Sequence, residues 1–399
     1  MIYFGHQHLT NYDEMFKISI LALKINRSYP TIPKDKFWLC SVIPMHGFFF
    51  FTFCLIINSM IFHDLKNDNF TAACTNGIFA VLFICVSFKY SVLLTKTEDI
   101  RVKQITVLCL SFKGDFAAAK QLSSDEQAIT SEYANRASWV TKVWLLTSFS
   151  VFSVFPTQVI VLSIYYYAIG DFQFVHMYQM TYPEAIETHK NETYTYLFLL
   201  FLQIYYGLYV LLMYVGFTPL GLIFMLHACG RIEIVKYRIS KLFEGEYYDP
   251  REIQQRLKNI VMPLQDVLDF VDLLKETFRV VYEVYMKATT IVIPIALYEI
   301  LEVRRLSIEF MTFIVAGVVL CFAPCYYSDL LMEKGLSLRM SVYASGWEAY
   351  PDSAMRRTLC IIMSRLERDV AIRTLFRTVN LDAFSESYAL FNVINAAWT

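Results

Sequence analysis

Apolar positions in this chain come in long runs, not in the period-2 or period-3.6 alternation of a soluble domain. Cutting where charges stop and restart isolates spans at about 37–62, 69–88, 143–170, one that begins near Tyr194, 280–301, 308–328 and 379–398. Each is long enough to cross a hydrocarbon core of about 30 Å as a helix. In lipid, backbone polar groups must be satisfied within the segment, which favours helices. The predicted fold is all-α, a polytopic membrane protein with seven transmembrane helices. The fifth span is less clean, because Glu283 and Lys287 sit in its first turns. The seventh is the least hydrophobic and carries Ser385, Ser387, Asn392 and Asn395.

Periodicity returns between the spans. Ile253, Leu257, Ile260, Leu264, Val267, Val271, Leu274, Phe278, Val281 and Tyr285 are separated by alternating steps of 4 and 3, which is a heptad seam. It runs into the fifth span, so one helix is expected to project below the membrane, with a local bend at Pro263. The fourth span is uncharged over the 38 residues 193–230, roughly 57 Å of helix at about 1.5 Å per residue. Such a helix tilts or protrudes, and Ile232, Val235, Ile239 and Leu242 continue it as one apolar stripe. A third stripe, Leu359, Met363, Leu366 and Val370, opposes Arg356, Arg357, Arg365, Arg368 and Arg373. Bundled, these extensions predict a cytoplasmic oligomerisation platform. The segment "MFKISILALKI" reads as an amphipathic helix at the cytoplasmic surface. The first 36 residues lack the continuous apolar core of a signal peptide.

Charge orients the spans. Segments 1–36, 89–137, 231–287 and 329–376 hold 29 Lys and Arg residues, against 4 in 63–68, 171–192 and 299–309. The positive-inside rule therefore predicts a cytoplasmic N-terminus and, after seven crossings, an extracellular C-terminus. Asn191 opens an Asn-Glu-Thr sequon in the predicted external 171–192 loop and is a candidate glycosylation site. A metabotropic seven-transmembrane chemoreceptor coupled to G proteins is the alternative reading. It would put the 29 basic residues on the wrong face, and the DRY and NPxxY motifs are absent.

Composition agrees: 56% of residues are hydrophobic and 18% charged, against about 25% charged in soluble domains. A net charge of −1 gives no global pull toward nucleic acid. Nine irregularly spaced cysteines predict neither a disulfide framework nor a zinc site. Cys321 and Cys325 share a helix face and read as packing. No HExxH, P-loop, GxSxG or dinucleotide fingerprint is present, so the chain is not expected to be an enzyme or to need a cofactor. His227 reads as a structural hydrogen-bonder. Internal repeats and paired intramembrane charges, the signs of a transporter, are not found.

The stretch "YYGLYVLLMY", residues 205–214, places four tyrosines within the uncharged run. A phenol in lipid must find a partner. Tyr205, Tyr206 and Tyr209 lie within about 100° on a helical wheel. Either they bond helix to helix or they line a pocket.

The C-terminal quarter resembles the insect odorant receptor family, and a weaker likeness covers the whole chain. The resemblance rests on Tyr343 and Trp347 after the sixth span, the basic pair Arg356 and Arg357, the helix "LCIIMSRL", and Leu381 and Phe384 entering the last span. It implies a tuned, ligand-binding subunit rather than the co-receptor. The expected assembly is a heterotetramer with the odorant receptor co-receptor, a non-selective cation channel in the plasma membrane of a sensory neuron dendrite. The corresponding organisation is a cytoplasmic amphipathic segment 1–36, spans one to four in 37–230, anchor helices 231–287, spans five and six in 288–328, a further anchor 329–376, and a pore-lining helix 377–399. The chain departs from the family's Ser-Tyr-Ser-like ending, since its last turns read "FNVINAAWT". By position, Asn392, Asn395, Ala397 and Trp398 are the pore candidates.

The family binds odorants in the outer half of the membrane, among spans two, three, four and six. The corresponding stretches here offer Asn76, Phe79, Ala80 and Phe83; Ser148, Phe152 and Phe155; Leu202, Tyr205, Tyr206 and Tyr209; and Phe310, Thr312, Phe313 and Val315. A small volatile molecule, an odorant or pheromone, would bind there and favour a packing in which the last helix leaves the pore axis.

Overall fold

The computed structural model describes residues 12–29, 32–94, 100–170, 172–243, 250–303, 308–349, 352–367 and 370–386. Its helices are α1 (Tyr12–Ile25), α2 (Lys36–Ser59, extended by a π turn Met60–Asp64), α3 (Phe70–Leu94), α4 (Ile100–Ala119), α5 (Ser124–Ile169), α6 (Glu184–Glu187), α7 (Thr193–Ser240), α8 (Pro250–Val303), α9 (Ile308–Tyr343) and α10 (Ser353–Arg365). Six of these, α2, α3, α5, α7, α8 and α9, are long and apolar enough to cross a membrane. The chain is a polytopic helical membrane protein. Of the predicted seventh span only its start is described, as a helical turn over 381–386. Asn392, Asn395, Ala397 and Trp398 lie outside the described residues. The basic residues define the inner end of the bundle, and the opposite end is the outer one.

The chemistry at each helix end accounts for its limits. Ser123 and Glu126 form a capping box at the start of α5, each side chain accepting from the other's backbone N–H at 3.4 and 3.1 Å. Gly170 ends the same helix with φ 82°, a left-handed conformation that glycine adopts at little cost. Inside α7, Pro219 lacks an N–H, which frees the Val215 carbonyl one turn earlier. The Ser19 hydroxyl of α1 donates to that carbonyl at 3.3 Å. Leu23 of α1 lies against Gly216, where an added Cβ would stand 2.8 Å from its side chain. α1 is thus tucked into the inner half of the bundle, not merely laid on the membrane surface.

Helix α7 is the axis of the fold. It buries most of its apolar stretch inside the protein, whereas α5 leaves most of its own exposed. The predicted heptad seam is present, and every one of its ten residues is buried. The seam does not wait for another subunit: α8 packs it on α3, α4, α7 and α9 of the same chain. Ile232, Val235, Ile239 and Leu242 of α7 are likewise buried, as are Leu359, Leu366 and Val370. α8 is a continuous 54-residue helix through Pro263 and Pro294. α4 has no counterpart among the predicted elements. It packs Ile105, Leu108, Phe112, Phe116 and Ala119 inward.

Candidate ligand cavity

Between α3, α5, α7, α8 and α9 the packing leaves a cavity of about 150 Å³. An apolar void of about this size stays dry and accepts a benzene-sized molecule. Its wall comprises Phe79 and Cys85 of α3; Trp144, Ser148, Phe152 and Phe155 of α5; Tyr206, Gly207, Val210 and Tyr214 of α7; Thr289 and Val292 of α8; and Phe313, Gly317 and Leu320 of α9. Tyr178, from the segment joining α5 to α7, completes it. Gly207 is needed here: a Cβ would fall 2.3 Å from the Tyr178 hydroxyl and 2.8 Å from the Phe152 ring.

Tyr178 belongs to an external segment that folds down into the bundle. Met177, Tyr178, Met180 and Tyr182 are all buried. Gln203, an amide in the middle of the apolar run, holds this segment. It accepts from the Met177 N–H at 2.9 Å and donates to the Tyr178 carbonyl at 3.3 Å and the Tyr182 hydroxyl at 2.9 Å. A second clasp centres on Asp64, which is fully buried. Its carboxylate accepts from Thr181 at 2.7 Å and from Asn76 at 2.9 Å. Glu309 at the outer end of α9 accepts the Gln179 N–H. In the same segment, burial first and nearby Lys190 second push the His176 imidazole below its usual range. Tyr178 itself meets the rings of Phe155 at 4.9 Å and Phe79 at 5.0 Å.

Of the fifteen residues expected at the site, Phe79, Ser148, Phe152, Phe155, Tyr206 and Phe313 border this cavity. The other nine sit elsewhere. Asn76 is in the Asp64 clasp. Phe83 stacks on Phe53 at 4.1 Å and on Phe49 at 4.7 Å. Ala80, Leu202 and Phe310 are buried between helices. Val315 is 52% exposed toward lipid, and Thr312 closes on the Ile308 carbonyl of its own helix at 2.7 Å.

The tyrosines divide. Tyr205 donates to the Met45 carbonyl at 2.8 Å, and Tyr209 meets His46 Nδ1 at 2.7 Å. Both fasten α7 to α2. Tyr206 turns its ring to the cavity and gives its hydroxyl to the Phe79 carbonyl at 2.6 Å. The fourth, Tyr214, also lines the cavity. Asn191 is exposed just before α7. His227 meets Asp115 at 2.9 Å and packs on Phe112, a structural arrangement at the inner end of α7.

Sequence reasoning missed Tyr178, Trp144, Gly207, Tyr214 and the α8 contribution. Gln203 was the available signal for the first: a lone amide within 38 uncharged residues has to have a polar partner brought to it.

The described helices thus form a multi-pass bundle with an apolar, ring-lined chamber beneath a folded-in external segment. The 7tm odorant receptor family model matches residues 69–389, and the chain belongs to that family. Its fold is similar to that of the insect olfactory receptor OR5 from Machilis hrabei, at a TM-score of 0.75 and 11% identity over 97% of this chain and 99% of that one. The same receptor in complex with eugenol gives a TM-score of 0.71 and 12% identity, covering 96% of this chain and 97% of that one. Among curated proteins no relative matches the sequence.

Proposed function

We propose that this odorant receptor is the ligand-binding subunit of a heteromeric, odorant-gated, non-selective cation channel, assembled as a heterotetramer with the odorant receptor co-receptor. The observation that carries the reading is the cavity itself. It is apolar, ring-lined and roofed by Tyr178, the form that binding sites for small hydrophobic molecules take. A volatile molecule fills it, with Ser148, Thr289 or the hydroxyls of Tyr178 and Tyr214 meeting its polar atom. The eugenol complex of the insect relative supports a ligand of this class.

Binding shifts the packing of α3, α7, α8 and α9, and the last helix, with Asn392, Asn395, Ala397 and Trp398, follows. The shift is limited to the ligand's differential affinity for the open arrangement. The subunit anchor lies at the inner end. Because the heptad seam is consumed within the chain, the intersubunit surface is formed by the apolar side chains left exposed below the spans, among them Met340, Tyr343, Ile361 and Phe376. The site of action is the plasma membrane of a sensory dendrite, with Asn191 glycosylated outside.

The test is a ligand panel on cells expressing this chain with and without the co-receptor. Ligand-evoked cation currents only in the co-expressing cells support the reading. Currents without any partner, or a response that needs a G protein, overturn it. On intact cells a tag at Met1 should be hidden and one after Thr399 accessible.

A further inference from the structure

Lys89 is fully buried in α3. Its ammonium donates to Thr218 Oγ1 at 3.3 Å and lies over the rings of Tyr214 at 3.2 Å and Tyr285 at 4.8 Å. Among the described residues no carboxylate pairs with it. An ionisable group within a span is costly and marks a functional position by default. Cation–π contact returns only a small part of what an ammonium loses on leaving water.

The lysine stands directly beneath the cavity. Cys85, one turn before it on the same face of α3, lines the cavity. On α8, Thr289 lines the cavity and Tyr285 is one turn further in. α3 runs from outside to inside, and helical side chains lean toward the N-terminus of their helix. The Lys89 side chain therefore leans toward the outer half, and its ammonium stops at Thr218 and the Tyr214 ring. The Tyr214 ring covers it and is itself part of the cavity wall.

We propose that Lys89 is the charge-recognition element of the cavity and that it selects a short-chain organic acid. The proposal rests on the cavity being the ligand site. The acid binds as its carboxylate: its alkyl body lies against Phe79, Phe152 and Val210, and the carboxylate pairs with the Lys89 ammonium as the Tyr214 ring turns aside. The ion pair forms where the described residues supply no carboxylate. An alcohol of the same length gains only the alkyl contacts. Since about 150 Å³ accepts a benzene-sized body, a chain of about six carbons fits.

The experiment compares hexanoic acid with 1-hexanol in cells expressing this chain and the co-receptor. In the unaltered receptor, hexanoic acid should act at a concentration at least about tenfold lower than 1-hexanol, the discrimination expected of one desolvated charge contact. K89M keeps the length and removes the charge. It should raise the effective concentration of the acid by about tenfold or more and move the alcohol by about twofold or less. K89R should retain the preference for acid. Equal potency of acid and alcohol in the unaltered receptor overturns the proposal, as does a K89M shift of the same size for both.

Should K89M fail to reach the surface, the purified unaltered receptor decides. Trp144 lines the cavity, and its fluorescence reports occupancy. Hexanoate binding at least about tenfold tighter than 1-hexanol supports the assignment; equal or weaker binding removes it. Responses to other volatile classes with none to acids would sink the lysine's role and leave the receptor reading intact. Silence to every class would sink both.

Discussion

The inner and outer halves of α5 are parts of one helix in two different environments. Its inner half buries Glu126, Tyr133, Ala134, Ala137, Val140, Thr141 and Trp144, whereas its outer half buries only Phe155. The same contrast runs through the bundle. Inside, α7 and α8 interlock over the heptad seam, and ion pairs lace the surface: Arg238 with Glu126 at 2.6 Å, Lys334 with Glu233 at 3.1 Å, and Arg231 with Asp115 at 3.2 Å. Outside, α5 is largely exposed, and the cavity lies between it and its neighbours. Packed cores are bistable rather than continuously deformable. A ligand that must change the arrangement of helices acts best where packing is thin, and the change is transmitted best where it is dense.

Two glycines test the contrast most severely. Gly221 faces the dense half, and an added Cβ would lie 2.2 Å from the Tyr282 hydroxyl and 3.0 Å from the Phe278 ring. Gly207 faces the cavity with equal crowding from Tyr178 and Phe152. Gly221→Ala should abolish or severely reduce surface protein, because overpacking a close-packed core costs about 1–3 kcal/mol or more. Gly207→Ala should reach the surface, since Tyr178 can lift and Phe152 can move into the void, and should lose ligand sensitivity. Surface biotinylation and dose-response curves read the two outcomes. Equal loss of surface protein in both would end the distinction between halves.

Phe278→Ala removes a buried ring from the seam. The expected cost is about 3–5 kcal/mol, seen as a drop in the apparent melting temperature of the solubilised receptor. Phe152→Ala, a half-buried ring at the cavity wall, should cost markedly less stability while changing which ligands act. A melting curve that ranks the two the other way would place the dense core in the outer half.

How much of the molecule was legible depends on where the information lies. The spans depend on long uncharged apolar runs and the seam on local periodicity, so both can be read along the chain; all ten seam positions are buried. α4 carries the same kind of signal in Ile105, Leu108, Phe112, Phe116 and Ala119, with steps of 3 and 4. It was obscured because basic residues and no neighbouring span marked it as loop. Site membership is another matter. It depends on helix rotation and on long-range contacts, and a helical wheel fixes neither. Tyr205 and Tyr206 are adjacent, yet one serves α2 and the other the cavity. Tyr178 comes from a segment with no periodicity at all, and its place is set by Gln203. Lys89 falls at the boundary of an apolar run and reads as an inner flanking charge. Only the packing of Tyr214 and Tyr285 around it shows that it is enclosed.

The split among the tyrosines gives a smaller, sharper test. Tyr205→Phe and Tyr209→Phe each remove one helix-to-helix hydrogen bond, to the Met45 carbonyl and to His46. Each should lower stability by about 1 kcal/mol and leave the effective ligand concentration unchanged. Tyr206→Leu reshapes the cavity wall and should move the dose response severalfold. If Tyr205→Phe alters ligand potency as much as Tyr206→Leu, the two phenols share one site after all.

The smallest expected effect concerns the ion pairs of the inner half. Burial alone would raise the Glu126 carboxyl, but Arg238 and the Ser123 capping contacts outweigh it and hold the group below its usual range. Glu233 is depressed in the same way: burial raises it, and Lys334 with Lys236 outweigh that. For an acid whose folded value is depressed, the stabilisation is fully present above the unfolded value of about 4.3 and fades as pH falls through the folded one. At neutral pH both pairs are therefore intact. The apparent melting temperature of the solubilised receptor should hold between neutral pH and about pH 5, then fall as these carboxyls take up protons. Arg238→Gln should cost about 1 kcal/mol or less at neutral pH, the usual range for pairs of partial exposure. It should also shallow the acid-side decline, because Glu126 then titrates nearer its unfolded value. A decline equally steep in R238Q would show that acid acts on the receptor elsewhere.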